Sequence, residues 1–263
     1  MERKKENKRG FRKNKKGQVT IFIILALAIV FVLILILIKK PNFSVITTPT
    51  TPIETIKQCV NDGLDSSTKL IMSQGGSVNP ENYFLYNGTK IEYLCYASDV
   101  YQPCVMQKPL IKESIENEIE KDLTPKIIDC INMEKSSLER NGYTVTYKNP
   151  NITVQLIPGN ILVNIDSSLI VKKDKTESYK SIKIDKASKL YELSMITTSI
   201  MNYEARYGRS EIMSYMMYYP TLRVEKKKQS DGTTVYILTD KNTGDQFTFA
   251  TRSYVLPVGV TGN

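Results

Sequence analysis

The run Val19 to Ile38 constrains this chain more than any other feature: 20 residues without a charge, a glycine or a proline. At about 1.5 Å per residue, a helix of that length reaches about 30 Å, the hydrocarbon thickness of a bilayer. A lone segment enters lipid only as a helix, because only a helix satisfies its own backbone hydrogen bonds. A core helix of a globular domain would carry a polar face, and this run carries none. A cleaved secretory signal would be shorter and end in small residues, whereas Lys39-Lys40-Pro41 follows here. The sequence therefore predicts a single transmembrane helix over residues 18–40.

The flanking charges set its direction. Residues 1–17 hold nine Lys/Arg against Glu2 and Glu6. The positive-inside bias puts this basic leader in the cytoplasm and everything after Lys40 outside it. Residues 1–40 take 11 of the 36 basic and 2 of the 27 acidic residues, so residues 41–263 carry 25 of each. The formal charge of +9 thus belongs to the membrane signal, and the neutral outer part offers no electrostatic footprint for nucleic acid.

All four cysteines, Cys59, Cys95, Cys104 and Cys130, fall on the outer side. An even count in an extracytoplasmic segment points to two disulfides. An all-thiolate zinc site is disfavoured, because the intervening stretches of 35, 8 and 25 residues contain no C-x-x-C pair. Residues 41–52, rich in Thr and Pro, read as an extended stalk. A helix then opens with Thr51 as N-cap, Pro52 in the first turn and Glu54 completing a capping box. Ile53, Ile56, Val60, Leu64, Ser67 and Ile71 mark its buried face, and Gln74-Gly75-Gly76 ends it.

Residues 77–109 read as a long ordered loop. A second helix follows from about Pro109 to Asn141-Gly142, with Ile111, Ile115, Ile119 and Leu123 at four-residue steps and a kink or restart at Thr124-Pro125. If the two helices lie antiparallel on one core, Cys59 meets Cys130 and Cys95 meets Cys104, the preferred connectivity among three. From Tyr143 the period switches to two, predicting strands near 143–147, 152–156 and 161–171 and a short one near 181–185. Residues 186–219 return to helix, with Leu193, Ile196, Ile200, Tyr203 and Tyr207 on one stripe and a break near Gly208. Three more strands are expected at 221–228, 234–239 and 246–254. The expected fold is an α+β ectodomain over residues 53–263, with antiparallel sheet and two disulfides, carried on one transmembrane helix. Subdivision near 142 and 220 stays open.

Lys15-Lys16-Gly17-Gln18, directly before the apolar run, resembles the class III signal peptide of archaeal type IV pilin-like proteins. The resemblance implies cleavage between Gly17 and Gln18 by a membrane-embedded prepilin-type peptidase. The helix would then begin the mature chain and be free for lateral homo-oligomerisation. Many members carry Glu five residues into the mature chain, where this sequence has Phe22. The outer part also resembles an uncharacterised family of membrane-anchored surface proteins from small-genome archaea. That likeness rests on Tyr93-Leu94-Cys95-Tyr96, Tyr101-Gln102-Pro103-Cys104-Val105-Met106-Gln107-Lys108-Pro109-Leu110, Asn202-Tyr203-Glu204-Ala205-Arg206-Tyr207 and Phe247-Thr248-Phe249-Ala250-Thr251-Arg252-Ser253-Tyr254. It supports topology and compartment and implies no reaction.

Signals for chemistry are sparse. Without His there is no Ser-His-Asp triad, no Cys-His pair and no His-bearing metal site. Neither a P-loop nor a G-x-G-x-x-G run occurs, and no cofactor or metal site is expected. Ser66 and Ser67 near Lys69, and Ser136 and Ser137 near Lys135, stand within a helical turn of one another, the weak pattern of a Ser-Lys hydrolase. Glu116, Glu118 and Glu120 diverge around their helix and read as a solvated face. The sequons at Asn42, Asn87 and Asn151 permit N-glycosylation. Tyr203, Tyr207, Tyr215, Tyr218 and Tyr219, beside Met213, Met216 and Met217, suit a sugar- or protein-binding surface. The plainer expectation is an amphipathic helix packed on the sheet. The sequence thus predicts a non-catalytic, membrane-anchored surface protein. It is either a pilin-like structural or assembly subunit, or a tethered module that binds a glycan, a peptide or a partner-cell protein.

Overall fold

The computed structural model describes residues 24–31 and 51–254. Residues 24–31 are helical (α1), and among the described residues no helix is long and apolar enough to cross a membrane. The rest of the expected span lies outside the described residues. So do Gly17, Gln18, Phe22 and Asn42, and all of the stalk but its last two positions. The chain divides into two units, residues 1–49 and 50–263.

The second unit is α+β, as its changing periodicity predicts. Helix α2 (Pro52–Ser73) buries Ile56, Val60, Leu64, Ser67 and Ile71 along the expected stripe. Its first turn is held by the Thr51 carbonyl, which accepts from the Glu54 and Thr55 amides. The expected capping box does not form: the Thr51 hydroxyl makes no capping bond, and Glu54 instead faces Lys57 at 3.7 Å. Helix α3 (Ile111–Arg140) runs through Pro125 without a restart, and the Thr124 hydroxyl donates to the Glu120 carbonyl. The two helices pack together, joined by the Cys59–Cys130 disulfide.

Residues 77–109 are not one loop. They contain β1 (Tyr83–Tyr86), β2 (Thr89–Tyr96) and the short β3 (Val105–Met106). Strand β2 escapes a period-two search because both its faces are covered: Ile91 through Cys95 are all buried. It pairs in parallel with β10 (Gln246–Arg252), close to the other end of the chain. Antiparallel partners β9 (Thr233–Asp240) and β8 (Leu222–Lys228) complete the first sheet, in the order β1-β2-β10-β9-β8 with β3 beside β2. A second antiparallel sheet is built on the long β6 (Asn160–Lys172). Strands β4 (Thr144–Thr146) and β5 (Asn151–Ile157) share one of its edges, and β7 (Thr176–Ala187) runs along the other. Strand β7 is 12 residues long, well beyond the short segment the sequence suggests.

Helix α4 (Leu190–Tyr207) and the short α5 (Met213–Tyr218) lead from the second sheet back to the first. One hydrophobic cluster joins α2, α3 and α4 to inward faces of both sheets, from Ile56 to Phe249, and crosses residues 142 and 220 without a break.

Candidate functional site

The disulfides bring the expected pairs together: Cys59 with Cys130, and Cys95 with Cys104. Cys95–Cys104 ties the loop after β2 back to that strand, against the last turn of α4. There the Ser253 hydroxyl donates to the Glu204 carbonyl and accepts from the Cys104 amide.

The Ser-Lys pattern is rearranged. Ser67 is fully buried and meets Lys126 of α3, not Lys69. Lys126 also bonds Asp122 at 2.7 Å, and the Ser67 hydroxyl donates to the same carboxylate at 2.5 Å. Burial works to raise the Asp122 carboxyl, but hydrogen bonds from Lys126 and Ser67 hold it below its ordinary value. An ammonium fixed on an ionised carboxylate is a poor general base; Ser67 is fully buried, and exposed Ser66 donates to the Gly63 carbonyl and meets the same Lys126 at 3.3 Å. Ser136 donates to the Asn132 carbonyl, and Lys135 faces Glu139 at 3.8 Å.

The carboxylates of α3 do diverge, but they are not a solvated face. Glu116 accepts from the Leu156 amide at 2.6 Å and from Lys112 at 2.6 Å, anchoring β5. Glu118 accepts from the Val78 amide at 2.9 Å on the other side. Both are half-buried helix-to-backbone clamps.

Beside Glu118 lies a polar cleft of about 460 Å³ whose wall includes Ser77, Glu92 and Lys108. Gly75, at φ +82°, lets the chain leave α2 against β2: a Cβ there would stand 3.0 Å from that of Glu92. The turn brings Ser77 to Glu92 at 2.7 Å, and Lys108 reaches Glu92 at 2.7 Å. Burial pushes the Glu92 carboxyl up against the opposing pull of Lys108 and Ser77. Nothing in the sequence marks Glu92 as buried.

The second surface is formed by α4 and α5. On α4, Leu193, Ile196 and Ile200 are buried as expected, but Tyr203 and Tyr207 are about half exposed, at 49% and 57%. The inward stripe continues instead through Glu204, which is 3% exposed. That carboxylate can be buried because Tyr236 donates to it, the Ser210 amide reaches it at 3.0 Å and Lys226 approaches at 3.4 Å. The Tyr236 hydroxyl is pushed far up by burial and by Glu204.

Outward, Met195, Ser199, Tyr203 and Tyr207 follow at four-residue steps. Tyr215 of α5 docks on this line through Ser199, hydroxyl to hydroxyl at 2.8 Å. The Tyr203 and Tyr207 rings lie 5.7 Å apart, with the Arg206 guanidinium 5.3 Å from the second. Helix α5 buries none of its residues: Tyr218 is 78% exposed, and Met213 and Met217 are also open. As the plainer expectation has it, the helix is amphipathic and sits on the sheet: Tyr215 and Met216 are half-buried against the core beside β8, and Met213, Met217 and Tyr218 form its open face.

A groove of about 370 Å³ opens between α4, Tyr219 and β8 and adjoins this face. Of the sequons, Asn87 sits exposed in the β1–β2 hairpin turn and Asn151 exposed at the start of β5. No family model, characterised protein or solved structure matches the chain.

Proposed function

We propose that this chain is a membrane-anchored extracytoplasmic protein whose folded unit binds a partner through the Tyr/Met face of α4 and α5. The observation that carries this reading is the exposure of Met213, Met217, Tyr218, Tyr203 and Tyr207 on a unit that buries a continuous core elsewhere. Tyr and Met are enriched at binding surfaces because they cover large apolar areas at low entropic cost and adapt in shape. A contiguous apolar face on a soluble unit is otherwise an aggregation hazard. Anchoring is supported by the uncharged run 19–38 behind nine basic residues, and an extracytoplasmic setting by two disulfides. The family of surface proteins from small-genome archaea that the sequence resembles shares this topology.

The test is site-specific photo-crosslinking from position 218 in native cell envelopes. The reading expects one or a few discrete adducts, absent when the probe sits at exposed Leu85 of β1. Identical smears from both positions would refute it.

A second reading, the pilin-like structural or assembly subunit, is favoured by Gly17-Gln18 at the head of the apolar run. It expects a mature chain beginning at Gln18, made by a prepilin-type peptidase, in assemblies held through the membrane helix. N-terminal sequencing of envelope protein that finds Met1 intact contradicts it.

A further inference from the structure

The strands that end the two sheets differ in how they are guarded. Strand β8 ends in Lys226-Lys227-Lys228, and β7 carries Lys180, Lys183 and Lys186. On the edge shared by β4 and β5, Glu116 of α3 holds the Leu156 amide. Charge on an edge strand, or a neighbouring element against it, disfavours pairing with a foreign strand. Strand β1, Tyr83-Phe84-Leu85-Tyr86, has no charge and pairs with β2 alone among the described residues. Tyr83 is 41% exposed and Leu85 61%. The Tyr93 amide donates to the Asn82 carbonyl, and the alternation of an antiparallel ladder then turns the backbone groups of Tyr83 and Leu85 away from β2. Lys90 lies over the Tyr83 ring at 4.7 Å, but it approaches from the β2 side and leaves the edge open. A bare apolar edge of this kind is a template for pairing with other chains.

The same strand runs directly into the sequon Asn87-Gly88-Thr89. Asn87 is exposed at the hairpin tip, with φ +48°. A Cβ added to Gly88 would meet nothing within 4 Å, so the space around the tip is open to a bulky group. Two independent observations therefore fall on one hairpin: an edge without a guard, and an acceptor for a large hydrated group at its end. A strand of four residues is about 13 Å long, within reach of a chain of several sugars rooted beside Tyr86. Asn151 is exposed too, but it heads β5, whose edge Glu116 already holds.

We propose that Asn87 carries an N-linked glycan in the cell, and that this glycan shields the β1 edge from strand pairing. In the transfer step, the Asn87 side-chain nitrogen displaces the phosphate of a polyprenyl-phosphate-linked oligosaccharide. A bond forms from that nitrogen to the sugar C1, and the C1–O bond to phosphate breaks. The lipid phosphate leaves, and the amide gives up one proton. Such a group is bulky, solubilising and confined to surfaces outside the cytoplasm. The glycan thus rests on the extracytoplasmic setting proposed above and on nothing about the Tyr/Met face.

The test is mass spectrometry of the full chain from native cell envelopes. Trypsin releases Asn87 in Leu70–Lys90 and Asn151 in Asn149–Lys172. The first peptide should carry a sugar mass in most copies, and Thr89→Val, which keeps the side chain's shape and the turn, should abolish it. In detergent, sedimentation of that variant should then give a mean mass at least about double that of the wild type, because two bare edges can pair. Adding Leu85→Lys to the variant should restore the wild-type mass. Equal thermal midpoints establish that folding is intact. The proposal is overturned if Asn87 is bare, if Thr89→Val is no larger than the wild type, or if Leu85→Lys does not relieve the association. A discrete protein adduct from a photo-crosslinker at position 85 also overturns it, by placing a partner strand on the edge. An impermeant amine label on intact cells separates this failure from that of the setting. Labelled ectodomain lysines with a bare Asn87 remove the glycan alone, whereas unlabelled lysines remove the extracytoplasmic setting as well.

Discussion

At the scale of single residues, two buried carboxylates organise the folded unit, and each is held by a different set of donors. Glu92 sits between Lys108 and Ser77, with Glu118 nearby, and its carboxyl is raised above its ordinary value of 4.5 by burial. An acid raised on folding keeps its proton to higher pH than the unfolded chain does. The folded state thus binds more protons in that window, and stability falls as pH rises from about 4.5 through the raised value. Relative to Glu92→Gln, the wild type should therefore lose stability with rising pH above 4.5 and run level below it. Urea unfolding at pH steps checks this, and a pH-independent difference contradicts it. Glu204 instead depends on Tyr236. Removing that donor with Tyr236→Phe leaves a buried acceptor short of a partner and should cost about 1–3 kcal/mol. Neither acid was legible in the sequence. Glu92 lies in the run Ile91 to Cys95, which has no polar alternation to reveal a second covered face. Glu204 occupies a helical position where Tyr203 and Tyr207 compete for the inward stripe on hydrophobicity alone, and only the partner on distant β9 decides between them.

Among the elements, α2 and α3 were readable because four-residue steps of Ile, Val and Leu depend on nothing distant. Their antiparallel packing then leads to the Cys59–Cys130 pair without knowledge of the sheets. The later strands were readable from alternation and turn residues. The sheet centre was not. β2 pairs in parallel with β10 across more than half of the chain, and local pattern carries no trace of such a partner. One signal was there to be used: Asn87-Gly88 between two short aromatic-rich runs is a strong hairpin mark, and both residues do take positive φ. Two predictions belong at this scale. Replacing Cys59 and Cys130 by alanine opens a link across 71 positions and should cost about 4 kcal/mol, against about 3 for Cys95 and Cys104. Denaturant midpoints of the two double variants give the ranking, and the reverse order contradicts it. Gly75→Ala should exceed Gly244→Ala in cost. Both have left-handed backbones, worth about 1–2 kcal/mol, but only Gly75 also meets Glu92, whereas Gly244 faces open space.

For the whole molecule, the proposed function joins an anchor expected from the sequence to an exposed Tyr/Met face on α4 and α5, proposed as the binding surface. The proposed anchor rests on the sequence alone, on 20 uncharged residues behind a basic leader, most of which lie outside the described residues. The Tyr/Met face was visible as a composition but not as a surface. Which residues turn inward depends on how α5 seats beside β8, and there Tyr215 and Met216 face the core while Met213, Met217 and Tyr218 stay open. If the face serves a partner, it is covered in the cell and open in the purified protein. Hydroxyl-radical footprinting of Met213 and Met217 measures this directly, in native envelopes and again after detergent extraction. The account predicts strong protection of both methionines in the envelope, lost on extraction, while exposed Met133 of α3 oxidises equally in both. Equal oxidation of Met213 and Met217 in the two states would contradict it.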